Sequence, residues 1–393
     1  MHAAVRYIHD NAHLLMEEGP KSDAQRRLSE KSVRVMKDSK GTRLLQATDL
    51  GGFQSHPLDF LEWVMAVAQY DPSAGWIAGV VGVHPWEISL MDPRVQQEIY
   101  GVDPDVWTAS PYAPLGRATR VDGGYLFSGR WSYSTGTDYC DWVVLGGMVT
   151  DDDGNLGTPP QMRHFVLPRG DYEIVEDSWH IMGLSGTGSK DVRMTNAFVP
   201  DYRTIDATVM MMGAAKPFAE ALRPGVPLYR MGMALLFSGA IGAATLGIAT
   251  GAIRVYREYL EQRVSVAGKV GKTDPFQLAA LARAESDLDA SITHLRTKIS
   301  AFYDQVCAGE EITITQRQDW RRDQVRATDR MVSVIDELYR LSGANGVWKD
   351  KPLERFWRDL HTGAMHACNL REDVYVGWGA AQFGQDPPRP FAF

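Results

Sequence analysis

The 393-residue chain predicts an α+β fold in three parts: an N-terminal α-helical domain over 1–105, a middle β-barrel domain over 106–212, and a C-terminal four-helix bundle over 213–393. Three observations predict it. Apolar runs of helical length dominate the first part. Short β-rich runs separated by Asp/Gly turns begin near Val106. A seven-residue apolar repeat sets in at Leu281.

The elements follow in order. Leu58–Ala68 has a broad apolar face, and Ala74–His84 is apolar nearly all round. The second predicts a core helix that ends at Pro85, because proline interrupts the helical ladder. Tyr125–Tyr133, Trp142–Val149 and His164–Pro168 read as strands, parted by turns such as Asp122-Gly-Gly and Asp152-Asp-Gly. A Gly/Ser/Thr loop, Gly183–Ser189, leads into a strand from Asp191 to Pro200, and the β unit ends near Asp201. A Pro/Gly-rich linker spans Pro224–Pro227. Met231–Ile253 then runs 23 residues without a charge, long enough to cross a membrane. Five glycines, Ser238, Thr245 and Thr250 lower its hydropathy, so it predicts a helix buried in a bundle or subunit interface. Leu281, Leu288, Leu295 and Phe302 recur every seven residues, with Ile292 and Ile299 between them, which predicts a bundle seam. A further helix is expected from about Arg317 to Leu341, stopping at Ser342-Gly343.

Composition narrows the function. Apolar content of 44% and charged content of 23% are ordinary for a soluble globular protein. A net charge of -8 without a basic run argues against nucleic acid as a partner. Cys140, Cys307 and Cys368 are too scattered for a disulfide framework or zinc cluster, so a reducing cytoplasm is expected. The first residues lack the apolar core of a signal peptide. His361 and His366 are five apart rather than four, so no metal site is expected. Nicotinamide fingerprint, nucleophile elbow and P-loop patterns are missing from the sequence.

Two stretches carry chemistry. Gly129-Arg-Trp-Ser-Tyr-Ser-Thr-Gly136 sets hydroxyls and two aromatics at the end of a strand, and Gly183–Ser189 is a flexible hydroxyl-rich loop. Together they suit two walls of a flavin site, which needs an aromatic face, a hydroxyl near the reactive nitrogen and backbone N–H groups for phosphate. With Glu261-Gln-Arg263, Asp274-Pro-Phe-Gln277 and Arg355-Phe-Trp-Arg-Asp359, the chain resembles the acyl-CoA dehydrogenase fold over essentially its full length. Dehydrogenases of that fold use a glutamate near the last helix, or on an earlier one in some relatives. Here the corresponding position in Met365–Asn369 is Ala367, which cannot take a proton, and His366 occupies the region. Val81-Gly-Val-His84-Pro-Trp86, Ser110–Pro114, Trp131–Gly136, Gly183–Ser189 and Arg355–His366 resemble the flavin-dependent aromatic hydroxylases of this fold. These are the oxygenase halves of two-component monooxygenases, including the p-hydroxyphenylacetate and secosteroid phenol hydroxylases.

The resemblance implies reduced FMN or FAD from a separate NAD(P)H:flavin reductase, and O₂ as co-substrate. It implies a C4a-hydroperoxyflavin kept dry and a phenol or related aromatic substrate that attacks best when deprotonated. By resemblance His366 is the base, and Ser110 binds the phenolic oxygen. His84 is a second substrate-side histidine, or a structural cap before Pro85. Thr135 meets flavin N5, with Ser134 as the near alternative. Tyr133 stands where dehydrogenases stack a tryptophan on the ring, with Trp131 as the alternative. Ser185, Thr187 and Ser189 are implied as phosphate or ribose contacts, Trp179 as a cover for the flavin edge, and Arg263 as reaching a neighbouring subunit's flavin phosphate. Trp86, Tyr112, Met210–Met212 and Phe237 line a pocket or belong to the core. The fold further implies a homotetramer through the C-terminal helices, with no membrane partner. Two other activities stay open: an indole or heteroatom oxygenase, and a flavin-dependent acyl-CoA dehydrogenase or oxidase. A non-catalytic scaffold is the third.

Overall fold

The first hundred residues fold into six helices, α1 (Ala3–Asp10), α2 (Ala12–Gln25), α3 (Glu30–Ser39), α4 (Pro57–Ala68), α5 (Pro72–Ile88) and α6 (Pro93–Tyr100). The structure is a computed structural model, and it describes residues 1–211, 215–264, 268 and 270–385. α5 is buried along its whole length. It does not stop at Pro85 as its sequence suggests but continues to Ile88. Pro85 has no N–H to give the preceding turn. Tertiary bonds hold the last turn instead: Trp86 Nε1 donates to Leu228 O at 2.9 Å, and Ser89 Oγ donates to Pro85 O at 2.6 Å.

Eight strands follow: β1 (Thr108–Ala109), β2 (Gly116–Val121), β3 (Gly124–Trp131), β4 (Trp142–Thr150), β5 (Met162–Pro168), β6 (Glu173–Val175), β7 (Asp191–Pro200) and β8 (Thr204–Asp206). Among the described residues they form one sheet in the order β6-β7-β3-β2-β4-β5-β8, with β1 beside β4. β2 and β1 each run parallel to β4, and the other pairs are antiparallel. Phe127, Trp131 and Phe165 fill the sheet's interior. Glycines make room for these rings: a Cβ on Gly116 would lie 2.3 Å from Phe127, and one on Gly129 2.5 Å from Trp131.

The chain returns to helix with α7 (Ala207–Met211), α8 (Lys216–Leu222), α9 (Met233–Gln262), α10 (Pro275–Cys307), α11 (Ile314–Ser342), α12 (Pro352–Ala364) and α13 (Arg371–Ala381). α9 is the uncharged segment of the sequence, and 89% of its most apolar window is buried. That burial is supplied within one protomer, by α4, α5, α11 and α12, so no subunit interface is needed to explain it. The seam on α10 is present: Leu288, Leu295, Ile299 and Phe302 are buried, and Leu281 and Ile292 pack against the same core. α11 begins three residues before its expected start. A capping box forms there, with Thr313 Oγ1 accepting from Gln316 N–H at 3.2 Å and Gln316 Oε1 accepting from Thr313 N–H at 2.9 Å. The expected boundary at 105/106 falls between α6 and β1, while 212/213 lies outside the described residues.

Candidate active site

α5 is the element that positions the site. Asp71 caps it, Oδ1 accepting from the N–H groups of Ser73 at 3.1 Å and Ala74 at 3.4 Å. At helical spacing Ser73, Trp76, Ile77, Val81, His84 and Glu87 emerge over one broad side. The two stretches singled out in the sequence rest on this side. Gly136 sits at φ 74°, and a Cβ there would meet Ile77 at 3.3 Å and Val81 at 3.4 Å. A Cβ on Gly186 would meet Ser73 at 3.0 Å. Glycine at both points is what lets the turns approach the helix.

The turns are also tied to each other. Ser134 N–H donates to Lys190 O and Gly136 N–H to Thr187 O, each at 3.1 Å. Ser189 Oγ donates to Thr135 Oγ1 at 3.0 Å and contacts Thr187 Oγ1 at 2.8 Å. Thr187 Oγ1 reaches Leu184 O at 2.8 Å, and Ser185 Oγ donates to Ile181 O at 3.2 Å. Thr135 thus accepts, and its own hydroxyl proton can be donated. The hydroxyl oxygens of Ser134 and Thr137 are buried with no hydrogen-bond partner among the described residues. Tyr133, at φ 66°, is 68% exposed beside this cluster. Trp179 meets it edge-on at 5.9 Å and donates from Nε1 to Ser185 O at 3.0 Å. An exposed aromatic face bordered by uncommitted hydroxyls fits the edge and ring of a flavin.

One expected flavin contact does not lie on this wall. Trp131 is fully buried inside the sheet, its Nε1 donating to Gly146 O at 2.9 Å. Strand alternation turns it inward, and Tyr133, beyond the strand's end, is left as the exposed ring. Arg263 closes the end of α9 onto α11 by donating to Leu341 O, and its guanidinium lies 5.6 Å from the Tyr259 ring.

A buried charge cluster backs the Gly183–Ser189 loop. Asp359 Oδ1 accepts from Leu184 N–H at 2.5 Å and holds Leu184 at φ 55°. A Cβ on Gly183 would lie 2.2 Å from Arg358 O. Arg358 donates to Met182 O at 2.6 Å and pairs with Asp23 at 3.0 Å and Glu354 at 2.5 Å. Burial pushes the Asp359 carboxyl up to about 7, with Arg355 opposing. Arg355 is also 3.8 Å from buried Asp71.

The substrate-side residues meet at the other end of α5. His84 is wholly buried and is no cap. Its Nε2 is 2.7 Å from Ser110 Oγ and its Nδ1 2.9 Å from Tyr112 OH. Tyr112 OH donates to Glu87 Oε2 at 2.5 Å, and Glu87 Oε1 is 2.6 Å from His164 Nδ1. Tyr112 stacks on His164 at 4.5 Å and meets Phe237 edge-on at 5.8 Å. Phe237 in turn lies 5.9 Å from His366, whose ring is edge-on to Trp76 at 5.5 Å. Phe237 thus lies between His366 and Tyr112, and Tyr112 in turn is bonded to His84.

Burial pushes His84 down to about 4, and packing does the same to His366, with the Arg321 charge adding to it. Both rings are neutral near pH 7. His366 Nδ1 accepts from Cys368 N–H at 3.1 Å. A backbone N–H can only donate, so the neutral ring carries its proton on Nε2 and offers a donor there. Of the other expected pocket residues, Trp86 is core, packed on Tyr229 at 6.1 Å, and Met210 is buried. Met212 lies outside the described residues. Glu87 and His164 were not singled out in the sequence. The spacing His84-x-x-Glu87, one helical turn, was the available signal for Glu87.

Comparison with known proteins agrees with this architecture. Residues 239–370 match the family model described as acyl-CoA dehydrogenase, C-terminal domain. The chain is 43% identical over 376 residues to a pigment production hydroxylase of Rhodococcus erythropolis, covering 96% of this chain and 95% of that one. It is 38% identical to the flavin-dependent monooxygenase oxygenase subunit HsaA of Rhodococcus jostii, covering 94% and 95%. The crystal structure of 3-HSA hydroxylase from Rhodococcus sp. RHA1 superposes with a TM-score of 0.92 at 36% identity, covering 99% of each chain.

Proposed function

From the premise that this chain belongs to the oxygenase subunits of two-component flavin-dependent monooxygenases, enzymes that hydroxylate phenolic substrates, we propose how its own residues handle the phenol. Ser110 Oγ receives the phenolic hydroxyl. His84, through Ser110, takes the proton. His366, expected from the resemblance to be the base, instead donates from Nε2 to an oxygen in the site.

The observation that carries this reading is the bonding of the two rings. His84 Nε2 faces a hydroxyl that can donate to it, whereas the open nitrogen of His366 bears the proton. Bound reduced flavin, with O₂, supplies the electrophilic oxygen. Tyr133 and Trp179 are suited to cover the flavin ring, with Thr135 and Ser134 at its edge and the Gly183–Ser189 loop at its phosphate. Phe237 and Trp76 hold the phenol ring and keep water from the reacting atoms.

We further read the enzyme as cytoplasmic and homotetrameric, with a separate reductase as a transient partner. In a tetramer Arg263 would have to share or release its bond to Leu341 O to reach a neighbouring flavin.

The test is hydroxylation of a series of ring-substituted phenols by the purified protein, supplied with chemically reduced FMN or FAD and then O₂. Formation of catechols is expected. Oxygenation of indoles or thioethers but of no phenol would sink the phenol reading. The two roles of His366 separate by substitution. His366→Gln keeps an N–H donor and is expected to retain at least a tenth of wild-type turnover, while His366→Ala loses about 10²-fold or more. Equal losses in the two variants would return the role of base to His366.

A further inference from the structure

The hydrogen bonds behind His84 run in one direction only. Glu87 is wholly buried. Burial alone would raise its carboxyl, but the neighbouring His164 and the hydrogen bonds from His164 and Tyr112 outweigh that and leave it below the ordinary range. It is therefore ionised and can only accept. Tyr112 has a single hydroxyl proton, and Glu87 Oε2 at 2.5 Å claims it. Burial and the adjacent Glu87 hold the phenol group of Tyr112 well above its usual range, so it stays protonated. The contact between Tyr112 and His84 must then be donated by the imidazole, which puts the proton of neutral His84 on Nδ1. Nε2 is left as an acceptor facing Ser110 Oγ. His164 fixes the far end by donating from Nδ1 to Glu87 Oε1 at 2.6 Å.

We propose that Glu87, Tyr112 and His164 are positioning residues that set the tautomer of His84, so that the lone pair on Nε2 faces Ser110. The inference rests on the reading that His84, through Ser110, accepts the phenolic proton. None of the three needs to touch the substrate. The ionisable groups that face Glu87 are His164 from β5, Tyr112 from the segment after β1, and His84 from its own helix. Their partners are accounted for except at one point, His164 Nε2, which is buried without a hydrogen-bond partner among the described residues.

The chain of donors makes an unusual prediction for an isosteric change. In Glu87→Gln, with the His164 proton kept on Nδ1, the amide oxygen accepts from that N–H. The amide nitrogen is then left facing Tyr112, and it can only donate. Tyr112 must turn its proton to His84 Nδ1, and His84 must move its own to Nε2. The change keeps size and shape but reverses the acceptor that Ser110 needs. In a serine protease, the same kind of carboxylate-to-amide change behind a catalytic imidazole lowers kcat by about 10⁴ through the wrong tautomer.

The experiment is ¹⁵N NMR of the two His84 ring nitrogens in flavin-free wild type, Glu87→Gln and Tyr112→Phe, with His84→Ala for assignment. Hydroxylation of one accepted phenol is measured alongside. Expected are Nδ1–H in wild type, Nε2–H in Glu87→Gln, and both tautomers together in Tyr112→Phe, which gives an independent reading should the first variant misfold. Phenol turnover should fall about 10²–10⁴-fold in Glu87→Gln, with flavin affinity unchanged. Nε2–H in wild type, or an unaltered tautomer in both variants, would overturn the inference. A flipped tautomer with undiminished turnover would overturn instead the reading of His84 as proton acceptor, and with it any catalytic role for the three residues.

Discussion

Replacing His84 by alanine is expected to lower phenol turnover by about 10²–10⁴-fold while reduced-flavin affinity stays within twofold of wild type. His84 contacts Ser110 and Tyr112, and the hydroxyl wall that suits the flavin is built from other residues. The truncation also leaves Tyr112 OH without its donor, so some loss of stability accompanies the loss of rate. Ser110→Ala is the control for this. It keeps the His84–Tyr112–Glu87 bonds yet removes the hydroxyl between phenol and imidazole, so its turnover should approach that of His84→Ala. The pH profile follows from burial. His84 is held down to about 4, so the acid limb of kcat/KM belongs near that value and not near the 6.5 of a free imidazole. Steady-state kinetics with a saturating reductase read all three. A His84→Ala enzyme that retains half its turnover would remove the residue from the reaction.

The second large effect is on stability. Arg355 is buried, with its guanidinium near Asp71 and acting on Asp359 as well. Arg355→Leu strands two carboxylates that the fold keeps from water, and a loss of about 3–5 kcal/mol is expected. The sign of its pH dependence is fixed. Asp359 is already raised in the folded state, to about 7. Stability from such a group is fully present below the ordinary carboxylate range and is lost as pH rises through the folded value. Without Arg355 the folded values of both acids rise further. The deficit should therefore be largest near pH 8 and shrink as pH falls toward 5. Urea unfolding at the two pH values measures it, and an equal deficit at both would show that packing, not charge, is what Arg355 contributes. Because Asp359 holds Leu184, the variant should also bind flavin more weakly.

What could be read from the sequence was whatever local periodicity controls. The strand Asp191–Pro200 and the seam on α10 have the bounds and faces that their patterns imply. Pro85 misleads because distant groups, Leu228 among them, supply the bonds that the backbone lacks there. Trp131 misleads for the opposite reason. Its neighbourhood reads as a site, but the pleat of β3 turns its ring into the sheet. Glu87 was hidden by distance along the chain: its partners Tyr112 and His164 lie 25 and 77 residues away. A lone glutamate in an apolar helix carries no sign of which loop will meet it. The tautomer of His366 is set by Cys368 N–H, two residues on, a bond that only a folded turn defines.

The contacts of α9 have a consequence for how such a scaffold diversifies. A Cβ on Gly247 would lie 2.6 Å from Met65 O, and one on Gly251 2.4 Å from Gln69 O. Here backbone meets backbone, and no rotamer change can relieve an added methyl group. The helical frame is thus closed to inheritance of larger side chains along this seam. A lineage built on this frame would keep glycine at these two positions.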